Sequence, residues 1–244
     1  ARKGSERFPN KHNAPVLGRP LFSYTLEAAV AAKRLDRVVV SSDDLTLKPL
    51  AKDYGVEFLE RPKALAQATS ALDDAVRHVC RHLEKTDDYT PDIVVTMQGN
   101  LPVRKEGQID EVVGRLEALS TATSVCTARE VRLRPEWAKV LLDEETGAVA
   151  PYDPGSHPFR KQEFPKLYML DGAVLAVRRE VLFETEGNRA AHAWLGAHLH
   201  IVPQPDPMYS LEVDYPDEVP LVEYYLLRLR LGDRWYQDLA HRKG

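Results

Sequence analysis

The chain has 244 residues, 43 % of them hydrophobic and 29 % charged, with a formal net charge of −4. Such a composition suits a globular α/β protein with a sizeable core and gives no reason to expect a nucleic-acid partner. No apolar run approaches the ~20 residues of a membrane helix and no signal-peptide pattern is seen, so a cytoplasmic protein without membrane contact is expected.

Along the chain, apolar residues alternate between strand-like and helix-like periods. The chain opens on a basic segment in which Arg2, Lys3, Arg7 and Lys11 surround Gly4. A central strand is expected ahead of this segment, so the sequence is expected to lack a few native residues at its front. From Pro20 a helical stretch places Phe22, Leu26, Ala29 and Val30 on one face. Val38, Val39 and Val40 read as a buried strand, followed by a short helix through Leu47, Leu50 and Tyr54 that stops at Gly55. Residues 56–59 predict a second strand. Helical spacing of Leu72, Ala75, Val76, Val79 and Leu83 predicts a helix over 70–83, and residues 93–97 form the strongest strand pattern. A helix over 109–119 and a strand over 124–127 follow. Residues 139–149 then read as a hairpin turning at Glu144-Glu145-Thr146-Gly147, and residues 151–165 as a loop rich in Pro, His and basic residues. Strands over 173–177 and 200–202 and an amphipathic helix over 219–231 complete the reading. The simplest organisation is a single domain, 1–244, with an inserted arm over residues 128–168.

In open α/β sheets ligands bind beyond the carboxyl ends of the strands, so the polar segments after each strand are the candidate site. The basic opening segment is not a GxxxxGK[ST] phosphate loop, because it has neither the glycine spacing nor the Lys-Ser/Thr pair. Side-chain cations would have to compensate phosphate charge instead, and a solvated basic terminus is an equal reading of composition alone.

The segment Arg2-Lys3-Gly4-Ser5-Glu6-Arg7-Phe8-Pro9-Asn10-Lys11, with Leu17-Gly18-Arg19-Pro20-Leu21 behind it, resembles the opening of the sugar-acid cytidylyltransferases. This family includes the CMP-N-acylneuraminate and CMP-KDO synthetases and relatives acting on legionaminate or pseudaminate. The resemblance continues in order through Val40-Ser41-Ser42-Asp43-Asp44, Arg61-Pro62, Thr69-Ser70-Ala71-Leu72-Asp73, Gln98-Gly99-Asn100-Leu101-Pro102-Val103-Arg104, Asp171-Gly172-Ala173 and Val213-Asp214-Tyr215-Pro216-Asp217. It implies a Rossmann-like, mostly parallel sheet flanked by helices. It also implies a Mg2+-dependent reaction in which the anomeric hydroxyl of an acidic 2-keto sugar attacks the α-phosphate of CTP and pyrophosphate leaves.

Carried over by position, Arg2 and Lys11 match triphosphate-holding cations, with Lys3 beside them as a further substrate contact. Lys11 is the group expected to stabilise charge on the transferring phosphate. His12 stands where sialate enzymes have asparagine and is a nucleotide contact by that match. Arg61 and Ser70 match the cytidine pocket, although Arg61 also reads as a surface ion pair and Ser70 as a helix N-cap. Gln98 matches a glutamine at the nucleotide–sugar junction, and Arg104 ends the same motif as a substrate-binding residue. Gln98-Gly99 is the KDO-type opening, whereas Pro102-Val103-Arg104 follows the sialate ending, and Asn100 replaces an acid with a weaker neutral ligand for a hard cation. Asp214 is the expected magnesium ligand and catalytic carboxylate, with Glu212, two residues earlier, on the same side of an extended segment. Arg160 and Lys161 resemble the cations of sialate enzymes that would meet the sugar carboxylate, but equally read as an exposed basic loop. The resemblance and the inserted hairpin together predict a homodimer whose arm reaches the neighbour's sugar site.

Other signals carry less. Cys80 and Cys126 lack CxxC spacing, which argues against zinc or disulfides. His78 and His82 lie four apart without a third ligand, and no GxSxG elbow is present. Three other readings stand beside it: a spore-coat-polysaccharide-type nucleotidyltransferase with a different acceptor, a degenerate, non-catalytic nucleotide-sugar-binding protein, and a metal-dependent glycosyltransferase of similar fold.

Overall fold

A computed structural model describes residues 2–4 and 7–232, with the backbone alone at residue 161. The Trp235-Tyr236 tail lies outside the described residues. In chain order the elements are β1 (Pro15–Val16), β2 (Arg19–Pro20), α1 (Leu21–Ala31), β3 (Val39–Ser42), α2 (Leu47–Asp53), β4 (Glu57–Glu60), α3 (Leu72–Asp87), β5 (Ile93–Thr96), α4 (Gln108–Ala118), β6 (Ser124–Glu130), β7 (Lys139–Leu141), β8 (Val149–Pro151), β9 (Tyr168–Arg178), α5 (Arg179–Glu184), β10 (Leu199–Pro203) and α6 (Val219–Leu231).

The central sheet has the order β10-β6-β9-β5. β10 and β6 are parallel, whereas β9 runs antiparallel to both β6 and β5. A separate parallel pair is formed by β3 and β4. The α/β architecture expected from the periods is therefore present, and its pairings are mixed because β9 enters between β6 and β5 and runs antiparallel to both.

Strand alternation explains why both faces of this sheet are covered. Val125 of β6 and Val174 and Ala176 of β9 pack under Ile109, Val112, Val113 and Leu116 of α4. These α4 positions recur at i, i+3, i+4 and i+7, a single apolar stripe. The intervening residues Cys126, Leu175 and Val177 face the opposite layer, where they meet Cys80 of α3 and Val181 and Leu182 of α5. Each fully buried aliphatic side chain contributes roughly 1.5–3 kcal/mol, so the two layers are the main source of stability. On α1, Phe22, Leu26 and Ala29 are buried as expected, but Val30 is exposed at the helix end.

β9 is longer than the predicted strand. Between the pairs Cys126–Leu175 and Ala128–Leu170, β6 contributes Thr127 alone while β9 contributes residues 171–174. Asp171-Gly172 thus forms a bulge inside one strand, with Gly172 at φ +70°. Glycine reaches this left-handed region without the Cβ penalty, which is why Asp-Gly is tolerated inside a ladder.

α3 carries a residue that the apolar pattern does not flag. Arg77 is 1 % exposed, its Nη1 donating to Asp73 at 2.6 Å and its Nε to the Leu182 carbonyl at 2.7 Å. This pair ties α3 to α5. The expected hairpin is present as the antiparallel pair β7–β8. Val140, Leu141, Leu142, Val149 and Phe159 on this arm are exposed.

Among the described residues β3 pairs only with β4, and β5 only with β9. Their other edges border a cavity of about 470 Å³, lined by both strands and by side chains of α1 and α3. Every residue of β5 is only half-buried as a result, although its sequence is that of a fully buried strand.

Candidate active site

The polar segments that follow β3, β4 and β5 lie where the sheet rule expects them. Ser42 ends β3, and its carbonyl accepts the Arg61 amide, so the segment after β4 is held beside it. The Lys3 amide donates to Asp43 Oδ1 at 2.9 Å, and Arg2 Nη1 donates to the Gln67 carbonyl at 2.9 Å. The basic segment therefore lies along the ends of β3 and the loop before α3.

At its far end, Lys11 Nζ meets Asp214 Oδ1 at 2.7 Å, and Asn100 Nδ2 donates to the same oxygen at 3.0 Å. Three segments distant in the sequence thus converge on one carboxylate. Asn100 is locked from below because its carbonyl accepts the Val213 amide at 2.8 Å. Val213 is buried in a core with Val16, Leu21 and Val103, which turns Glu212 and Asp214 away from that core on either side of it. Glu218 Oε2 accepts both the Asp214 and Tyr215 amides, at 2.6 and 2.9 Å. That residue was missed in the sequence. Its signal was present as an acid three positions after Tyr215 in front of a helix, the spacing of a capping box.

Electrostatics separates the two acids. Burial pushes the Asp214 carboxyl up, but the Lys11 hydrogen bond and charge, Asn100 and Arg7 outweigh it and hold it below the usual range. Glu212 moves the other way: burial, then the Asp214 charge, raises its pKa. His12 is buried, stands edge-on to Phe22 with ring centroids 5.5 Å apart, and has its pKa lowered to about 3 by burial, with Lys11 and Arg61 adding to the effect. It is a neutral imidazole at physiological pH.

Gln98 sits on the β9 bulge. Its amide donates to the Gly172 carbonyl at 3.1 Å, and a Cβ on Gly172 would lie 2.5 Å from the Gln98 side-chain carbon Cδ. Arg104 clamps the same junction by donating to the Ala173 and Gln98 carbonyls. Burial lowers its pKa to about 10. Beneath lies Asp171, 3 % exposed, which accepts from Thr127, Ser210, Gln204 and the Ala173 amide. The Thr127–Asp171–Ser210 network was not expected from the sequence, because its members come from three separate elements.

Among the described residues Arg61 forms no ion pair: its Nε and Nη2 donate to Ser41 Oγ and the Ser41 carbonyl at 3.1 and 2.8 Å, and burial lowers its pKa. Ser70 is not a helix cap either. The N-cap of α3 is Ala71, while Ser70 Oγ accepts the Gln67 amide and donates to the Ala64 carbonyl, both at 3.0 Å. It shapes the same loop that receives Arg2. Arg160 is exposed on the arm, and the side chain of Lys161 lies outside the described residues.

The donor set suits a hard divalent cation in part. Glu212, Asp214 and Asn100 offer oxygen ligands, and a magnesium site of one or two carboxylates is completed by phosphate and water oxygens. Among the described residues no group of three or more His, Cys, Asp or Glu side chains could hold a metal alone. No described helix is long and apolar enough to cross a membrane.

The cytidylyltransferase family profile matches residues 1–196. The chain is 28 % identical over 155 residues to an 8-amino-3,8-dideoxy-manno-octulosonate cytidylyltransferase of Shewanella loihica, a match spanning 61 % of this chain and 60 % of that protein. It is 27 % identical over 246 residues to a 3-deoxy-manno-octulosonate cytidylyltransferase of Chlamydia abortus, covering 93 % and 91 % of the two chains. The fold is similar to that of a CMP:2-keto-3-deoxy-manno-octonic acid synthetase solved with CTP, with a TM-score of 0.66, 16 % identity and coverage of 93 % and 96 %. It is also similar to a 4-diphosphocytidyl-2C-methyl-D-erythritol synthase from Anaerococcus prevotii, with a TM-score of 0.59, 13 % identity and coverage of 89 % and 93 %. With the family profile spanning most of the chain, this protein belongs to the cytidylyltransferase family.

Proposed function

We propose that the chain transfers a cytidylyl group from CTP to the anomeric hydroxyl of a 3-deoxy-octulosonate-type sugar acid, releasing pyrophosphate. The observation that carries this reading is the convergence of Lys11, Asn100 and Asp214 beyond the strand ends. The names of the similar curated proteins favour octulosonates over nonulosonates as acceptor.

In this reading Arg2, Lys3 and Lys11 compensate the triphosphate charge. Lys11 leaves Asp214 to follow the transferring phosphate, where a cation acts on charge that develops in the transition state. Asp214 and Glu212 hold a divalent cation, Mg2+ by chemistry, with Asn100 as a neutral ligand or orienting donor. Such an ion would shield the phosphate oxygens from one another and stabilise departing pyrophosphate. Neutral His12, with Arg61 and Ser70, borders the cytidine side. Gln98, seated on Gly172 and backed by Arg104, faces the junction with the sugar. Arg160 on the arm meets the sugar carboxylate. Residues 1–244 act as one nucleotidyltransferase domain, and the arm over 128–168 joins two copies through its exposed apolar residues.

The test is a panel of acceptors incubated with CTP and Mg2+: 3-deoxy-manno-octulosonate, its 8-amino-3,8-dideoxy analogue and N-acetylneuraminate. Pyrophosphate release is expected with an octulosonate and is lost in Asp214→Ala. Absence of release with every acid, from protein that binds CTP, rejects the catalytic reading in favour of nucleotide binding alone.

A further inference from the structure

In a 2-keto sugar acid the carboxylate is bonded to the anomeric carbon, the carbon that also carries the attacking hydroxyl. An acceptor placed for attack therefore brings its own negative charge close to Asp214 and Glu212. Like charges at that range repel, so the acceptor needs a cation on the sugar side of the acidic pair. Lys11 is already paired with Asp214, and Arg104 is committed to the Ala173 and Gln98 carbonyls. Arg2 and Lys3 lie with the basic segment at the end of β3.

The central sheet carries one more cation to this place. β6 and β5 both run antiparallel to β9, so they are parallel to each other and their carboxyl ends share one edge. Gln98 follows β5 at that edge, and Arg129 stands one residue before the end of β6. The Asp171-Gly172 bulge of β9 lies between them. Side chains alternate along a strand, so Arg129 shares a face with Thr127, whose hydroxyl donates to Asp171 at 2.5 Å. Ser210 donates to the same carboxylate at 2.7 Å, and the Gln204 amide donates to the Ala128 carbonyl at 2.8 Å. These bonds draw residues 204–212 against the end of β6. Glu212 follows Ser210 by two residues, through Leu211 in extended conformation. It comes within electrostatic reach of Arg129, whose charge opposes the upward shift of the Glu212 pKa more than that of Lys11 does.

Arg129 is exposed, and among the described residues it forms no ion pair. Its Nη2 donates to Met169 Sδ at 3.8 Å, a weak acceptor that a carboxylate oxygen displaces readily. A guanidinium offers paired donors that match both oxygens of a carboxylate. We propose that Arg129, at the carboxyl end of β6 across the bulge from Gln98, binds the carboxylate of the sugar-acid acceptor and holds it beside Glu212. Arg160, assigned above to the same group, stands on the arm, whereas Arg129 is fixed to the central sheet. The assignment rests on the proposed transfer to a sugar acid.

The experiment measures pyrophosphate release by the parent, Arg129→Gln and Arg129→Lys, with CTP and Mg2+. The acceptors are 3-deoxy-manno-octulosonate and its methyl ester, which keeps the shape and lacks the charge. Loss of a charge-assisted pair should raise the KM of Arg129→Gln for the acid by roughly tenfold to hundredfold. KM for CTP should stay within about twofold of the parent, and an exposed side chain should leave Tm within ~2 °C. The parent should prefer the acid to the ester by about tenfold or more in kcat/KM, a preference that Arg129→Gln loses. Arg129→Lys keeps the charge without the paired donors and should fall between the two. An acceptor KM for Arg129→Gln within about twofold of the parent overturns the assignment, as does an equal loss with acid and ester. A rise in KM for CTP instead moves Arg129 to the triphosphate and overturns it too. Release by the parent separates these failures from that of the underlying reading: a parent that turns over no sugar acid rejects the transfer itself, and the assignment with it.

Discussion

Replacing Lys11 by Met separates the chemical role of its ammonium from its structural one. The Lys11–Asp214 contact is 2.7 Å, with side chains 14 % and 35 % exposed. At that separation the Coulomb attraction is about 1.5 kcal/mol at the dielectric constant of water and about 6 kcal/mol at an effective value of ~20. Ordering of two side chains and loss of hydration offset most of this, and the exposure of Asp214 leaves a net contribution of ~1 kcal/mol. The methionine keeps the unbranched stem, so Lys11→Met should lower Tm by only about 2–4 °C. Aimed at developing phosphate charge, the same ammonium contributes about 3–4 kcal/mol, or ~10²–10³ in rate. The assay is pyrophosphate release at varied CTP with saturating octulosonate, beside a melting curve. A fall in kcat/KM of hundredfold or more with a small Tm change is expected. Activity within a few-fold of the parent refutes the role of Lys11, and a Tm loss above ~10 °C shows that the contact is structural.

His12 gives a pH prediction with a definite sign. Its folded pKa, about 3, lies below the ordinary histidine value of 6.5, so between those limits the unfolded chain binds a proton that the native protein does not. Stability therefore falls as pH drops from about 6.5 towards 3, by at most ~1.4 kcal/mol per pH unit from this residue. His12→Asn should flatten the Tm profile over that window, and an unchanged slope removes the premise. Gly172→Ala places a Cβ 2.5 Å from Gln98 Cδ at φ +70°. It should cost roughly 1–3 kcal/mol of stability and lower kcat more than it raises KM for CTP, measured by steady-state kinetics. Leu141→Lys with Phe159→Asp on the arm should convert a dimer to a monomer by light scattering while leaving the far-ultraviolet circular dichroism unchanged. A monomeric parent rejects that assembly.

Much of the site was legible in order but not in contact. Arg2, Lys11, Gln98, Asn100 and Asp214 were each singled out because their local motifs resemble those of the sugar-acid cytidylyltransferases, in polar segments of the kind that bind ligands beyond the strand ends of open α/β sheets. Which of them touch was not readable: Lys11 and Asp214 are 203 residues apart, and periodicity carries no information at that separation. Ser70 and Arg61 were matched to a cytidine pocket, with a cap and a surface ion pair as their plain alternatives. The fold gave their donors to neighbouring backbone and to Ser41 instead, since a loop folded against a sheet must satisfy its own carbonyls.

What the amino-acid sequence determined alone was the succession of elements, set by the local 3.6- and 2-residue periods, and the kinship carried by an ordered series of motifs. The tertiary structure alone decided the antiparallel entry of β9, the burial of Arg77 and the stacking of Gln98 on a glycine bulge. It also decided that β3 and β5 face each other across a cavity. Those outcomes depend on packing free energy summed over segments far apart in the chain. A strand's sequence states that it wants two covered faces, and only the assembled molecule states which neighbours cover them.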